Sequence, residues 1–264
     1  EKKKKNAELE KRNVFALLEE TEEDEVEEEE QEEEQEEEQE EEQEKGENKE
    51  KEKEAKKEEK MEKVEKVLSE DEVRKKAEDM MDEYYICFEV EEIRFCLKEM
   101  GPSSCHPLVV FTAILSIFEK LKHVDKLNSL FKELHADKTI SREHFQQGFV
   151  MFFKNIEDLM MDYPRASSIA AQFIGSAMVE NIFDFEFLAN ETKELQLTRA
   201  SLDLFLFTAD WLREEKGEEV CKEKLSDGVV MKFVAADKRT NEFITSYLER
   251  KKLMNLKPLL LSEY

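Results

Sequence analysis

Apolar residues recur at intervals of three and four positions from about residue 69 to the end of the chain, the spacing of one face of an α-helix. The clearest stripe comprises Phe145, Phe149, Phe152, Ile156 and Leu159. Alternation of apolar and polar positions is almost absent, so the sequence offers hardly any strand signal. The predicted helices begin at Ser69 and continue over residues 90–100, 107–122, 124–135, 141–162, 164–181, 185–194, 201–215, 218–225 and 241–253.

Signals at the ends of these segments support the predicted helices. Ser69 and Glu72 form a capping box, in which each side chain satisfies a free backbone N–H of the first turn. Ser141 can cap the helix that follows it. Gly101 ends one helix, and Pro164 breaks another because proline pushes the residue before it out of the helical region.

Consecutive helices of this length with short polar connections predict helical hairpins stacked side by side. The segment 107–122 is apolar nearly all round, as expected for a helix covered on several sides. The sequence therefore predicts an all-α fold of stacked antiparallel hairpins over about residues 69–260.

The first part of the chain has a different composition. Residues 22–44 hold eighteen acidic residues and no basic one, out of a formal net charge of −26 for the whole chain. Gln31, Gln35, Gln39 and Gln43 divide this tract at four-residue intervals, which places like charges one turn apart and opposes a helix. With few large apolar side chains to form a core, residues 1–68 are predicted to be a disordered leader and linker rich in Glu and Lys.

This charge also bears on the partners. An acidic chain repels phosphates, which disfavours direct RNA binding, whereas basic proteins are possible partners of the acidic leader.

No apolar run reaches the roughly 18 to 20 residues of a membrane span, so a membrane role has no support. The four Cys show no metal-site spacing and no secretory signal precedes them, which favours reduced intracellular thiols. A start at Glu1 is compatible with a fragment of a longer protein.

The chain contains residue types that bind metals or act as nucleophiles, but their spacing does not match known metal-binding or catalytic motifs. Cys87, Cys96, Cys105 and His106 have the side chains of a zinc site, yet structural sites usually pair ligands two to four residues apart. No glycine-rich phosphate-binding motif occurs. No Cys lies in a nucleophile signature. We therefore expect no metal, no cofactor, no catalytic residue and no enzymatic activity.

Acidic residues gather at one helix end. Glu157, Asp158 and Asp162 lie at the end of the 141–162 helix and in its loop, followed by Pro164. Acids at a helix C-terminus oppose the helix dipole by about 0.3 to 1 kcal/mol each. The residues by themselves leave two interpretations open: a solvated loop, or a docking site whose carboxylates accept hydrogen bonds from Arg and Lys of a partner.

A family resemblance favours the second interpretation. EYYICFEVEEIRFCLKEM, PSSCHPLVVFTAILSIFEK, FQQGFVMFF and NIEDLMMDYPRASSIAAQFI resemble an MA3 domain over about residues 82–183. The most specific part is D-L-x-x-D-x-P-x-A, from Asp158 to Ala166. The resemblance implies a HEAT-like fold, an MA3 domain at 69–184 and, at the acidic loop, binding of the DEAD-box helicase of translation initiation, initiation factor 4A.

The segments RASLDLFLFTADWLREEKGEEV and NEFITSYLERKKL are similar to the helical hairpins that follow the MA3 domain in eukaryotic initiation factor 4 gamma. The resemblance implies that residues 185–264 form additional hairpins packed on the MA3 domain. It also implies a cytoplasmic translation-initiation scaffold that binds and regulates the helicase, with other initiation factors as possible partners. The alternatives are an MA3 protein of splicing or ribosome biogenesis, an MA3-type inhibitor of the same helicase, and an acidic chaperone of basic proteins.

Overall fold

Between residues 68 and 261, which the computed structural model describes, the chain contains α-helices, short 3-10 segments and a π-helical turn, with no β-strand. The all-α prediction is confirmed for this part of the chain. The predicted disordered leader lies outside the described residues. The α-helices are α1 (Glu70–Cys87), α2 (Val90–Met100), α3 (His106–Glu119), α4 (Val124–Ala136), α5 (Arg142–Asp162), α6 (Ala166–Val179), α7 (Phe185–Glu191), α8 (Ala200–Trp211), α9 (Glu218–Lys224), α10 (Asn241–Lys251) and α11 (Lys257–Leu260).

The helices stack as antiparallel hairpins. Neighbouring helices of a hairpin touch, but the larger contacts join each helix to the next but one: α1, α3 and α5 form one row, and α4, α6 and α8 form a second. The apolar faces of both rows meet in one continuous core. Because α6 packs on α8, this core continues without interruption into the C-terminal helices.

The predicted caps occur in the structure. The backbone N–H of Glu72 donates to the Ser69 hydroxyl, and the Glu72 carboxylate accepts from the Ser69 backbone N–H, which completes the capping box of α1. The N–H of His144 donates to the Ser141 hydroxyl at the start of α5. These side chains satisfy N–H groups that have no carbonyl partner within their helix.

Several predicted helix ends were wrong by a few residues. The helices predicted over 107–122 and 185–194 end at Glu119 and Glu191, and each continues as a 3-10 turn. The helix predicted over 201–215 changes into a π-helical turn after Trp211. Near a helix end the carbonyls have no fixed partner four residues on, so the last turn readily tightens or widens.

The predicted helix 241–253 ends at Lys251, and Lys252 adopts the left-handed conformation that closes it. The N–H of Leu253 then donates to the carbonyl of Leu248 at 2.8 Å, as in a Schellman motif. No element was predicted for residues 229–233, which form a 3-10 helix whose Phe233 ring stacks 4.4 Å from that of Phe205.

The described residues include no single helix that is long and apolar enough to cross a membrane. Val90–Met100 and Ser103–Glu119 meet the length and composition requirement only as a pair, and the pair is bent by 114°.

At Gly148, α5 lies close to α3, and we expect Gly148→Ala to lower the free energy of unfolding by about 1–2 kcal/mol. A Cβ at this position would lie 2.6 Å from Cβ of Val110 and 2.8 Å from the carbonyl oxygen of Pro107. Overpacking of this kind costs about 1–3 kcal/mol, which exceeds the roughly 1 kcal/mol that alanine gains in helix propensity. Urea unfolding measures the change. Gln147→Ala, one position away and exposed, should be neutral or slightly stabilising, and equal stability of the two variants would contradict the close approach.

Candidate functional site

The site is built at the junction of α5 and α6. The buried stripe of α5, which includes Phe149, Phe152 and Ile156, turns that face of the helix into the core and leaves the opposite face to solvent. Tyr163 ends the helix in an extended conformation because Pro164 follows it. Its carbonyl accepts the N–H of Ala166 at 2.8 Å, which starts the next helix after one tight turn.

The structure separates the predicted site residues into two groups. Asp158, Asp162 and Pro164 are exposed, and Asp162 is the last residue of α5 and not part of the loop. Glu157 is half-buried, and its carboxylate accepts a hydrogen bond from the hydroxyl of Thr198, at the start of the C-terminal helices. Glu157 therefore supports the fold locally, whereas the other three are available to a partner.

Asp158 and Asp162 are one helical turn apart, so their side chains share a face of α5. No other described residue forms a hydrogen bond or ion pair with either carboxylate. Like charges at this spacing repel by about 0.2–0.5 kcal/mol. The negative end of the helix dipole adds to the repulsion. The two acids thus carry a folding cost that no contact within residues 68–261 offsets.

An open cleft of about 410 Å³ adjoins these acids. Leu121, Val124 and Ile169 give it apolar walls, and Asp162 and Pro164 lie on its lining. Leu121, which lies between two lysines, is 50% exposed, whereas leucine side chains are more often buried. The sequence placed Leu121 inside a core helix; its exposure follows from the 3-10 turn that interrupts that helix.

The arrangement suits docking. Two exposed carboxylates offer acceptors to Arg or Lys, and the adjoining cleft can hold an apolar side chain of the same partner. The turn that carries Pro164 is short and braced at both ends by backbone hydrogen bonds, so little conformational entropy is lost when it binds.

The Cys and His side chains considered for zinc have no metal-binding arrangement among the described residues. Within residues 68–261 no three His, Cys, Asp or Glu side chains are grouped as a metal ion requires. The His106 ring lies 5.4 Å from that of His144. Burial lowers the pKa of His106 and raises the pKa of the Cys96 and Cys105 thiols, which favours the neutral form of each group.

Comparison with known proteins shows which sequences this chain resembles. The family model of the MA3 domain matches residues 73–184. A eukaryotic translation initiation factor 4G from Cucumis melo is 28% identical over 129 residues, which cover 48% of this chain and 7% of that protein. MA3 domain-containing translation regulatory factor 4 from Arabidopsis thaliana is 24% identical over 181 residues, which cover 68% of this chain and 28% of that protein.

A eukaryotic translation initiation factor 4G from Oryza sativa subsp. japonica is 24% identical over 199 residues, 71% of this chain and 11% of that protein. The match thus spans less than a third of the length of each of these relatives. The family match covers α1 to α6 and includes the α5–α6 junction with both exposed aspartates. The chain therefore carries an MA3 domain at residues 73–184.

Proposed function

We propose that this chain is a translation-initiation scaffold module that binds and regulates a DEAD-box RNA helicase of the initiation factor 4A type. The contact is made by the exposed end of α5, with Asp158 and Asp162 as acceptors and Pro164 holding the turn. Binding is non-catalytic. The module contributes a docking surface, and the helicase contributes the chemistry.

The observation that carries this proposal is a pair of aspartates at the C-terminal end of α5 that have no partner among the described residues. On a surface that only contacts solvent, two carboxylates that repel each other and the negative end of the helix dipole cost folding free energy without a compensating contact. A partner with basic side chains would remove both repulsions on binding and gain charge-assisted hydrogen bonds. The matched relatives are named as translation initiation and translation regulatory factors, which supports a partner in that process.

We expect the double substitution Asp158→Asn and Asp162→Asn to weaken binding of purified initiation factor 4A by about tenfold or more, which is about 1.4 kcal/mol. The amide oxygens of Asn still accept hydrogen bonds but carry no negative charge, so the contacts with basic side chains become weaker, and binding also becomes less sensitive to salt. Stability should be unchanged or slightly higher because the repulsion is relieved. Isothermal calorimetry at two salt concentrations, with circular dichroism as a folding check, measures these effects.

The matched control removes two charges elsewhere. Glu78 and Asp79 are exposed on α1 and have no ion pair with another described residue. Glu78→Gln with Asp79→Asn should leave the affinity within about twofold of the original. If the aspartate pair can be neutralised with full affinity and unchanged helicity, the site is wrong.

The test also distinguishes other partners. The proposal is contradicted if the chain recovers a DEAD-box helicase from nuclear extract but does not recover the initiation helicase from cytoplasmic extract. That result would indicate a protein of splicing or ribosome biogenesis. The proposal is also contradicted if residues 22–44 alone bind basic proteins with the full affinity of the chain, as an acidic chaperone would. We also propose a cytoplasmic location, because the matched relatives are named as translation factors.

We also propose that the MA3 domain extends from residue 69 to residue 184, slightly beyond the matched residues at the N-terminal side. The capping box at Ser69 supports this start because it completes the first turn of α1. Residues 185–264 would then be additional helical hairpins. The packing of α8 on α6 supports hairpins that pack on the MA3 domain.

A further inference from the structure

A second surface beside the acidic site has the opposite charge. The guanidinium carbons of Arg199 and Arg250 lie 5.9 Å and 4.5 Å from the centroid of the Tyr247 ring. Phe243 stacks on Tyr247, with 5.9 Å between ring centroids, and Leu197 nearby is 80% exposed. We call Leu197, Arg199, Phe243, Tyr247 and Arg250 the arginine patch.

The two arginines differ from the third cation near this ring. Lys251 also lies over Tyr247, but its ammonium group donates to the buried Asp203 carboxylate at 2.8 Å and is thereby neutralised. No carboxylate of residues 68–261 lies within 4.0 Å of Arg199 or Arg250. Several other basic side chains within residues 68–261 have an acidic partner, so two neighbouring guanidinium groups without one in this part of the chain are a notable feature.

Arg199 is held in an unfavourable conformation. Its φ of 70° is in the left-handed region, which costs a non-glycine residue on the order of 1 kcal/mol. It also occupies the N-cap of α8 without a capping side chain, where the helix dipole disfavours a cation. Glycine or asparagine would suit the backbone better, so the arginine is best explained by what its side chain contacts.

The arginine patch and the aspartate pair adjoin each other. Thr198 and Glu157, which share a hydrogen bond, are the chain neighbours of Arg199 and Asp158 respectively. The two groups are therefore close in the fold, where Thr198, just before α8, contacts Glu157 near the end of α5. Such an arrangement can fix the orientation of a bound protein, because a rotated partner would place like charges together.

We infer that the arginine patch is a second contact for the protein that binds the aspartate pair, and that it receives acidic side chains of that protein while Leu197 packs against an apolar one. This inference rests on the proposed function. The partner surface must then carry basic groups facing Asp158 and Asp162 and acidic groups facing Arg199 and Arg250.

An RNA strand fits the patch less well than an acidic protein surface. The Tyr247 ring is 3% exposed and cannot offer a face for base stacking, which single-strand binding usually uses. Exposed Glu242 and Glu249 on the same helix would repel a phosphate chain that continued past the two arginines. A protein that presents only one or two acidic side chains to the arginines has fewer negative charges near these glutamates than a continuous phosphate chain.

The test is the affinity of the full chain for purified initiation factor 4A after charge reversal. Arg199→Glu with Arg250→Glu should weaken binding at least tenfold. Lys75→Glu with Lys76→Glu, exposed lysines on α1 without an ion pair to another described residue, makes the same change in net charge and should change the affinity less than twofold. Arg250→Glu alone avoids the strained position, and it should still weaken binding about threefold if the double variant folds poorly.

The outcomes separate the inference from the function. If the aspartate variant loses affinity but the arginine variants retain it, the inference is wrong and the proposed function stands. If both retain it, the proposed function itself fails. If the arginine variants keep the affinity for the helicase but lose affinity for a fluorescent oligo-uridine probe, the patch is an RNA contact and the inference is overturned.

Discussion

Phe152→Ala is expected to lower the free energy of unfolding by about 3–5 kcal/mol. The Phe152 ring is fully buried on α5 and meets Phe118 of α3 and Phe173 of α6, with centroid distances of 6.2 Å and 5.2 Å. Truncation removes the apolar burial and leaves a cavity where three helices meet, because helices fixed by many other contacts can close it only in part. Guanidinium or urea unfolding followed by circular dichroism measures the loss.

A surface phenylalanine provides the control for this prediction. Phe95 on α2 is 61% exposed, so Phe95→Ala should change the free energy of unfolding by about 0.5 kcal/mol or less. A loss below about 1.5 kcal/mol for Phe152→Ala would mean that the helices move together to fill the space. The stacked rows of helices would then be looser than their packing indicates.

Asp203→Ala is expected to cost about 3 kcal/mol of stability, the second large effect. Asp203 is 6% exposed and accepts hydrogen bonds from the Tyr247 hydroxyl at 2.9 Å and from Lys251 at 2.8 Å. Removing one partner of a buried ion pair leaves the other without compensation, at a cost of about 3–5 kcal/mol. The lower end applies because Lys251, with 28% of its side chain exposed, can turn toward water.

A double variant tests whether the loss comes from the unpaired groups. Asp203→Leu with Lys251→Met replaces the ion pair by apolar side chains, and its cost should be clearly smaller than that of Asp203→Ala. The same denaturation curves measure both. Equal losses in the two variants would assign the effect to packing or to the Tyr247 hydroxyl, which loses its acceptor in both variants. In the native protein, burial and the Asp203 charge raise the pKa of Tyr247, so the hydroxyl is a neutral donor.

This buried pair also matters for the arginine patch. Asp203 fixes the hydroxyl of Tyr247, and that ring is the surface against which Arg199 and Arg250 lie. Asp203 neutralises Lys251, whereas Arg199 and Arg250 form no ion pair with any residue of 68–261. One buried carboxylate thus distinguishes a structural cation from the two that we infer to contact a partner.

Much of the fold was predictable because local signals and tertiary contacts agree. The stripe from Phe145 to Ile156 is buried as its spacing required, and the Ser69 capping box forms as the sequence indicated. Helix ends were predicted less accurately, since a last turn can tighten or widen at little cost. The buried 3-10 helix containing Phe233 was missed because an apolar run of that length has no periodicity to identify it.

The candidate site was predictable only in part. The residues alone left Asp158 and Asp162 undecided between a solvated loop and a docking site, and the family resemblance favoured docking. Glu157 was grouped with them because it is adjacent in sequence, yet a helix turns neighbouring residues by about 100° and directs it to Thr198. The exposure of Leu121 in the cleft likewise depends on where α3 stops.

The sequence by itself determined the helical class, the order of the helices and the separation of an acidic leader from an apolar domain, because periodicity, caps and charge are local properties. The tertiary structure alone decided which charges are paired. Arg199 and Arg250 lie about fifty positions apart, and only the packing of α10 against the start of α8 places both on one tyrosine ring. Pairing depends on distances between helices, and those distances are set by the core and not by the sequence around each charge.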